Sequence, residues 1–206
     1  MKFDGVLFDL DGTLWNATEG IARSWAEALR AVPDVKKAPT VKELEGVMGM
    51  AAESLVATLF PYLPQARGLE IFELCCAAEN KYLTLNGGTL YPGVKELLEE
   101  LSQKLPLFIV SNCNHGYIES FLTAHGFASC FKDYEYIGRT GLEKSENIRL
   151  VVERNGLKSP VYVGDTQLDR NSAEQAGVPF IHAAYGFDAV DCAQKIDRPL
   201  GLLELL

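Results

Sequence analysis

The chain contains few of the residues that bind zinc or form disulfide bonds. It has five cysteines and three histidines among its 206 residues. No Cys-x-x-Cys pair occurs, and the histidines do not alternate with the cysteines, so the usual ligand pattern of a zinc site is absent. The odd number of cysteines and the adjacent Cys75 and Cys76 argue against a disulfide framework and favour a reducing compartment.

Long apolar runs and basic clusters are missing as well. No stretch approaches the roughly 20 apolar residues of a membrane span, and Met1–Gly5 lacks the apolar segment of a signal peptide. The 19 Lys and Arg residues against 28 Asp and Glu residues give a net charge of −9. This balance repels a phosphate backbone. We therefore expect a soluble, cytoplasmic protein that binds neither membranes nor nucleic acids.

The remaining composition is that of an ordinary globular protein. Hydrophobic residues make up 48% and charged residues 23% of the chain. At roughly 150 residues per domain, the length predicts one large domain, or one domain with a small insert. A chain of this length can bury roughly 70% of its unfolded surface, so its core needs no metal or disulfide for support.

Short apolar runs alternate with helical patterns over most of the chain. Each run is short enough for a buried strand, and amphipathic patterns separate the runs from residue 89 onward. Such alternation predicts an α/β fold with a doubly wound, mostly parallel, Rossmann-like sheet. The predicted strands lie at Phe3–Leu10, Leu107–Val110, Tyr134–Ile137, Val161–Gly164 and Val178–Ile181.

Residues 15–88 break this alternation, because they contain four helical patterns and no convincing strand. Thr40 and Glu43 have the spacing of a capping box at the start of the second helix, and the last pattern covers Ile71–Leu85. We therefore predict a core of residues 1–14 and 89–206, with an inserted all-helical cap of residues 15–88.

Polar side chains follow three of the predicted strands at the points where the strands end. Asp9 and Asp11 lie at the end of the first strand and just beyond it, Ser111 and Asn112 follow a second, and Asp165 follows a third. Ligands of open α/β sheets bind beyond the carboxyl ends of the strands, so these side chains are expected to meet at one edge. Carboxylates gathered there repel one another, and a hard divalent cation such as Mg²⁺ would relieve the repulsion.

Four segments in this order resemble the four motifs of the haloacid dehalogenase superfamily. Three further segments resemble its phosphoglycolate-phosphatase-like branch, which carries a helical cap. The four motif segments are Asp9–Leu14, Ser111–Asn112, Lys144 and Gly164–Asp169. The three branch segments are Tyr91–Val94, Ala176–Pro179 and Tyr185–Phe187. The resemblance covers nearly the whole chain and is weakest in the cap.

The resemblance implies a Mg²⁺-dependent phosphatase that forms an aspartyl-phosphate. Asp9 would be the nucleophile and Asp11 the general acid and base, with like-charge repulsion from Asp9 raising the pKa of Asp11. Mg²⁺ would be held by Asp9, by the backbone carbonyl of Asp11 and by Asp165. The expected partner is a small phosphorylated metabolite, and the expected state is a monomer.

The same resemblance implies which residues bind the phosphate and which support them. Gly12, Ser111, Asn112 and Lys144 would contact the transferring phosphoryl group. Lys144 would also contact the nucleophile. Thr13 and Asp169 would support the site without contacting the substrate. Thr13 would form a hydrogen bond to the loop, and Asp169 would orient Lys144 or a metal-bound water.

Two other functions remain open at this point. A sugar phosphomutase would use the same chemistry but needs a second phosphate pocket, and a non-catalytic binding module would need no acid at Asp11. The presence of Asp11 favours phosphate transfer over dehalogenation, since halide leaves without a proton. The substrate, the roles of Cys113 and His182, and any clamp formed by Arg23, Arg67 or Arg139 are not specified by the sequence.

Overall fold

A computed structural model describes residues 2–206 of the chain. Eight strands and nine α-helices lie in this part, with 3₁₀ turns at Leu29–Ala31 and Pro199–Glu204. The strands are β1 (Gly5–Phe8), β2 (Trp15–Asn16), β3 (Thr89–Leu90), β4 (Leu107–Ser111), β5 (Phe131–Tyr136), β6 (Pro160–Gly164), β7 (Phe180–Ala183) and β8 (Lys195–Ile196). The helices are α1 (Thr18–Ala28), α2 (Val41–Glu45), α3 (Ala52–Leu59), α4 (Gln65–Asn86), α5 (Val94–Leu101), α6 (Tyr117–His125), α7 (Ile137–Thr140), α8 (Lys144–Asn155) and α9 (Gln167–Ala176).

Six strands form one sheet in the order β5-β4-β1-β6-β7-β8, and every neighbouring pair is parallel. In the centre, Val6 of β1 lies opposite Leu107 of β4 and Val161 of β6. All residues of these three strands are buried, as expected for a parallel sheet covered by helices on both faces. The predicted doubly wound α/β fold is confirmed.

Several boundaries differ from the sequence prediction. Strand β7 covers Phe180–Ala183 and therefore begins two residues later than predicted. The amide of Val178 still donates to the carbonyl of Ala173 at the end of α9, and Pro179 has no N–H to donate. Strand β5 begins at Phe131 and not at Tyr134. Strand β8 is only two residues long and has one exposed residue, so it lacks the apolar run that marks the other strands.

Four helices, α1 to α4, occupy most of the segment predicted as the cap. The Thr40–Glu43 capping box is present at the start of α2. The expectation of a segment without strands is wrong at one end, because Trp15 and Asn16 pair antiparallel with Leu90 and Thr89. This two-residue ladder lies where the chain leaves the core and returns to it, and two residues are too short for a hydrophobic pattern to reveal.

Helix ends position two residues of the site. A capping box between Glu143 and Glu146 starts α8 at Lys144. Helix α6 begins at Tyr117, after the N-cap Gly116, which has a φ of 88°. No helix within residues 2–206 is long and apolar enough to cross a membrane.

Candidate active site at the carboxyl edge of the sheet

The polar residues predicted from the strand ends do converge. Strands β1, β4 and β6 end side by side and present Asp9, Ser111 and Asp165, all of which are buried. Helices α8 and α9 bring Lys144 and Asp169 to the same place, and both of these side chains are buried as well. Five polar groups are therefore removed from solvent within one small region, which is unusual unless they are paired with one another or with a ligand.

Lys144 joins two of the carboxylates. Its Nζ lies 2.9 Å from Oδ1 of Asp9 and 2.6 Å from Oδ1 of Asp169, and its side chain is only 2% exposed. Burial by itself lowers the pKa of the Lys144 ammonium, but the carboxylates of Asp169 and Asp9 outweigh burial and raise it. Lys144 therefore stays positively charged next to Asp9.

Asp9 and Asp165 titrate differently although both are buried. Burial and the charge of Asp169 raise the pKa of Asp9 to about 6, while Lys144 opposes the shift. Burial, followed by the charges of Asp9 and Asp169, raises the pKa of Asp165 to about 8. Asp9 is consequently more acidic than Asp165, and a positive charge close to Asp165 would favour its ionised form.

This arrangement fits a divalent cation. Asp9, Asp165 and Asp169 each offer a carboxylate oxygen, and these oxygens lie within 4.8 Å of one another. The donors are all oxygen, which suits Mg²⁺ better than zinc. Asp169 is already engaged, because its Oδ1 accepts from Lys144 and its Oδ2 caps α9 through Thr166.

Asp11 has a hydrogen-bond partner that the sequence did not predict. The hydroxyl of Tyr117, on α6, donates to Oδ1 of Asp11 at 2.8 Å. Burial raises the pKa of Asp11 to about 8, with a further contribution from Asp9, while the bond from Tyr117 opposes the shift. The sequence analysis attributed this shift to Asp9, but burial is its larger cause. Asp11 is therefore protonated at neutral pH.

Glycines allow the loops to approach Asp165 closely. Gly12 has a φ of +80°, and a Cβ built on it would lie 2.1 Å from Oδ2 of Asp165. A Cβ on Gly186 would lie 2.3 Å from Cβ of the same aspartate. The absence of a side chain at Gly12 is therefore what lets the loop approach Asp165. The amide of Gly12 donates to the carbonyl of Trp15 at 2.9 Å, and contact of Gly12 with a phosphate stays a prediction.

Hydrogen bonds to Asp165 fix its orientation, and Thr13 provides one of them. The Thr13 hydroxyl donates to Oδ1 at 3.3 Å, and the amide of Phe187 donates to Oδ2 at 2.8 Å. The Thr13 hydroxyl thus bonds to Asp165 and not to the loop, and its part in the reaction stays a prediction.

Asn112 connects the core to the helical segment. Its Nδ2 donates to the carbonyl of Gly49, in the loop between α2 and α3, at 2.9 Å. Its Oδ1 is buried and has no hydrogen-bond partner among residues 2–206. Contact of Asn112 and of Ser111 with a phosphate remains a prediction.

A cavity of about 420 Å³ opens above Asp9 and Asp11. Its core side includes Ser111, Asn112 and Tyr117, and its other side is formed by residues of α1 to α4 and their loops. The volume is within the range of small-molecule sites, roughly 300–1,000 Å³.

Two residues of undecided role have different positions. Cys113 lines the cavity, but burial raises the pKa of its thiol well above the ordinary value, so it is a poor nucleophile. His182 is buried in β7, where its Nε2 contacts the carbonyl oxygen of Asp188 at 3.2 Å. Neither residue carries a chemical step in this geometry.

Comparison with known proteins identifies the family. The family model for haloacid dehalogenase-like hydrolases matches residues 6–183, a stretch that contains Asp9, Asp11, Ser111, Lys144 and Asp165. The chain belongs to the haloacid dehalogenase-like hydrolases. The resemblance predicted from the motifs is confirmed, and so is the expectation that the protein is an enzyme.

Individual relatives of this hydrolase carry different names. It is 28% identical over 201 residues to the phosphoglycolate phosphatase of Vibrio parahaemolyticus, with 89% of this chain and 84% of the relative covered. It is 27% identical over 203 residues to a 5′-nucleotidase of Pseudomonas aeruginosa, covering 93% and 87%. The crystal structure of a predicted phosphoglycolate phosphatase from Haemophilus somnus 129PT superposes with a TM-score of 0.86 at 24% identity, covering 100% and 98%.

Proposed function

We propose that this hydrolase is a Mg²⁺-dependent phosphatase that cleaves a small phosphate monoester through an aspartyl-phosphate on Asp9. One observation carries the proposal: two buried aspartates, Asp9 and Asp11, lie together at the floor of the cavity, and the pKa of Asp11 lies above that of Asp9. A nucleophile and a general acid need opposite protonation states at the same pH, and different pKa values supply them. The named phosphatases among the relatives support the same reaction class.

In the first step the Asp9 carboxylate attacks phosphorus, and Asp11 donates its proton to the departing alcohol oxygen. Lys144 holds Asp9 in place at 2.9 Å and neutralises charge that the phosphate brings. The side chains of Ser111 and Asn112, with the loop at Gly12, are proposed to hold the phosphate oxygens. Mg²⁺, bound by Asp9, Asp165 and the backbone carbonyl of Asp11, would supply the positive charge that lets an anionic phosphate approach these carboxylates.

In the second step Asp11, now ionised, takes a proton from a water molecule that attacks the phosphorus of the aspartyl-phosphate. Phosphate leaves, and Asp9 is regenerated as a carboxylate. Tyr117 keeps Asp11 oriented through both steps, because its hydroxyl donates to Oδ1. The four helices between residues 18 and 86 are proposed to act as the cap that excludes bulk water.

The two alternatives are less well supported. A phosphomutase needs a second anion site, and no Lys, Arg or His lines the cavity in the part of the chain that the structure describes. A binding module would have no use for a protonated Asp11 next to an ionised Asp9. We also propose that the protein acts as a cytoplasmic monomer on a phosphorylated metabolite, in keeping with its five free cysteines.

The test is phosphate release from phenyl phosphate, measured with Mg²⁺ and with a chelator. We expect release by the native protein with Mg²⁺ only, and background release by Asp9→Asn. Asp197→Asn is the matched control, because Asp197 is exposed and far along the chain from the site. Equal release by Asp9→Asn and the native protein would overturn the proposal.

A further inference from the structure

The cavity above the carboxylates lacks positive charge on the side that receives the leaving group. Among residues 2–206, no Lys, Arg or His lines it. Its outer wall is largely apolar and is built from α1, α2, α3 and α4 with their connecting loops. The apolar side chains of this wall include Ile21, Trp25, Leu44, Val47, Leu55 and Phe72.

The basic residues of the helical segment are engaged elsewhere. Arg67 pairs with Asp34 and Glu70 at the surface, and Arg23 lies over the ring of Tyr82. Lys36, Lys37 and Lys42 line a separate cavity, which shares only Val47 with the one above Asp9. An anionic leaving group in the main cavity would therefore be desolvated without a partner of opposite charge, which is strongly unfavourable.

Arg139 does not provide a partner either. Its guanidinium pairs with Glu135 and lies over the rings of Tyr134 and Tyr136. The arginines that the sequence suggested as substrate clamps are thus all committed to other contacts.

Two polar groups of the cavity wall offer hydrogen-bond acceptors. Glu79, on α4, is 5% exposed and lines the cavity. Its Oε2 accepts from Nε1 of Trp25 at 2.6 Å, and Phe72 packs edge-on against the Trp25 ring with centroids 5.8 Å apart. Asn112 adds an amide oxygen without a partner among the described residues. In either protonation state the Glu79 carboxyl carries no positive charge.

We propose that Glu79 selects a phosphate monoester whose leaving group is largely apolar, carries no negative charge and presents a hydroxyl or amine donor to the carboxyl. This inference rests on the proposed phosphatase function and names its substrate class. It separates the protein from its relatives that are named phosphoglycolate phosphatases, because the carboxylate of phosphoglycolate would be desolvated in a cavity that no Lys, Arg or His of residues 2–206 lines. The cavity is also much larger than a two-carbon acid requires.

The test compares two para-substituted phenyl phosphates, one with a hydroxymethyl group and one with a carboxylate, together with phosphoglycolate. We expect kcat/KM to be higher for the hydroxymethyl ester than for the carboxylate ester by on the order of tenfold or more, the factor that corresponds to about 1.4 kcal/mol. The carboxylate ester has the better leaving group, so intrinsic reactivity works against this result. Preference for the carboxylate ester or for phosphoglycolate would overturn the inference.

Substitution of Glu79 tests its role as the selecting residue. Glu79→Leu, which removes the hydrogen-bond acceptor, is expected to reduce the preference about tenfold, through KM and with little change in kcat. Glu73→Leu makes the same change on an exposed position of the same helix and should keep the native preference. An unchanged preference in Glu79→Leu would show that Glu79 does not select the substrate.

Measuring the binding of the same esters distinguishes failure of this inference from failure of the proposed phosphatase function. If no ester releases phosphate, phenyl phosphate included, the proposed function has failed. Calorimetry of the same esters on Asp9→Asn with Mg²⁺ then measures the preference without turnover. Tighter binding of the hydroxymethyl ester supports the inference, whereas tighter binding of the carboxylate ester, or no binding of either, overturns it.

Discussion

Replacing Lys144 by methionine should destabilise the protein in a manner that depends on pH. Methionine keeps an unbranched apolar stem of similar length but removes the charge that lies 2.9 Å from Asp9 and 2.6 Å from Asp169. At an effective dielectric of about 20, one such contact corresponds to roughly 6 kcal/mol of attraction before the desolvation of the ammonium is subtracted. Breaking a buried ion pair by removing one partner destabilises proteins by about 3–5 kcal/mol, and we expect a loss of this size at pH 8.

The sign of the pH effect follows from Asp9. Its pKa is already raised to about 6 in the folded protein, and loss of Lys144 raises it further. An acid whose pKa is raised by folding contributes stability that is fully present below its unfolded pKa and is lost as pH rises through its folded pKa. The destabilisation by Lys144→Met should therefore be smaller near pH 5, where Asp9 takes up a proton, than near pH 8, although the contact with Asp169 is lost at both.

Urea unfolding in the presence of a chelator measures this effect, with fluorescence of the buried Trp15 and Trp25 as the signal. Lys81→Met is the control, because Lys81 is exposed on α4 and its replacement should change the unfolding free energy by less than about 0.5 kcal/mol. A loss in Lys144→Met below about 1 kcal/mol at pH 8, or an equal loss at both pH values, would refute the electrostatic account.

Three further predictions concern residues around the cavity. Tyr117→Phe removes a bond that lowers the pKa of Asp11, so the alkaline limb of the kcat profile should move to higher pH; an unmoved limb would contradict the proposed role of Asp11. Burial raises the pKa of Glu79 from 4.5 to about 8, so the unfolding free energy of the native protein should fall as the pH rises between these two values. The fall should be smaller by a few kcal/mol in Glu79→Gln. Unfolding free energies from urea that change equally with pH in the native protein and in Glu79→Gln would argue against a raised pKa of Glu79. Gly186→Ala would place a Cβ 2.3 Å from Cβ of Asp165. It should weaken Mg²⁺ binding at least about tenfold, as changes to groups that orient metal ligands do. An unchanged Mg²⁺ affinity in calorimetry would exclude this steric role of Gly186.

The sheet and its polar edge were predictable because their signals are local. Strands β1, β4 and β6 are short, wholly buried runs, and a parallel sheet brings the residues that follow them together whatever lies between. Asp9, Asp165 and Lys144 could thus be chosen from their places in the chain. The order of the motifs already indicated that Lys144 lies near Asp9, and the structure supplies the distance between them.

Other features of the site depend on packing between distant elements. Tyr117 reaches Asp11 across 106 residues of sequence, and Glu79 reaches Trp25 across 54. Both contacts depend on how α6 and α4 pack, and neither side chain stands out from an ordinary helical pattern. The pKa of Asp11 was attributed to its neighbour Asp9, because the sequence shows adjacent charges but not the depth of burial.

The covalent step can be observed on the protein itself. Acid quenching of the native protein during turnover of phenyl phosphate with Mg²⁺, followed by peptide mass spectrometry, should find one phosphoryl group on the peptide that contains Asp9. The modification should be absent with a chelator and in Asp9→Asn. Steady turnover with no phosphoryl group on that peptide, or with the group on another residue, would contradict the proposed mechanism.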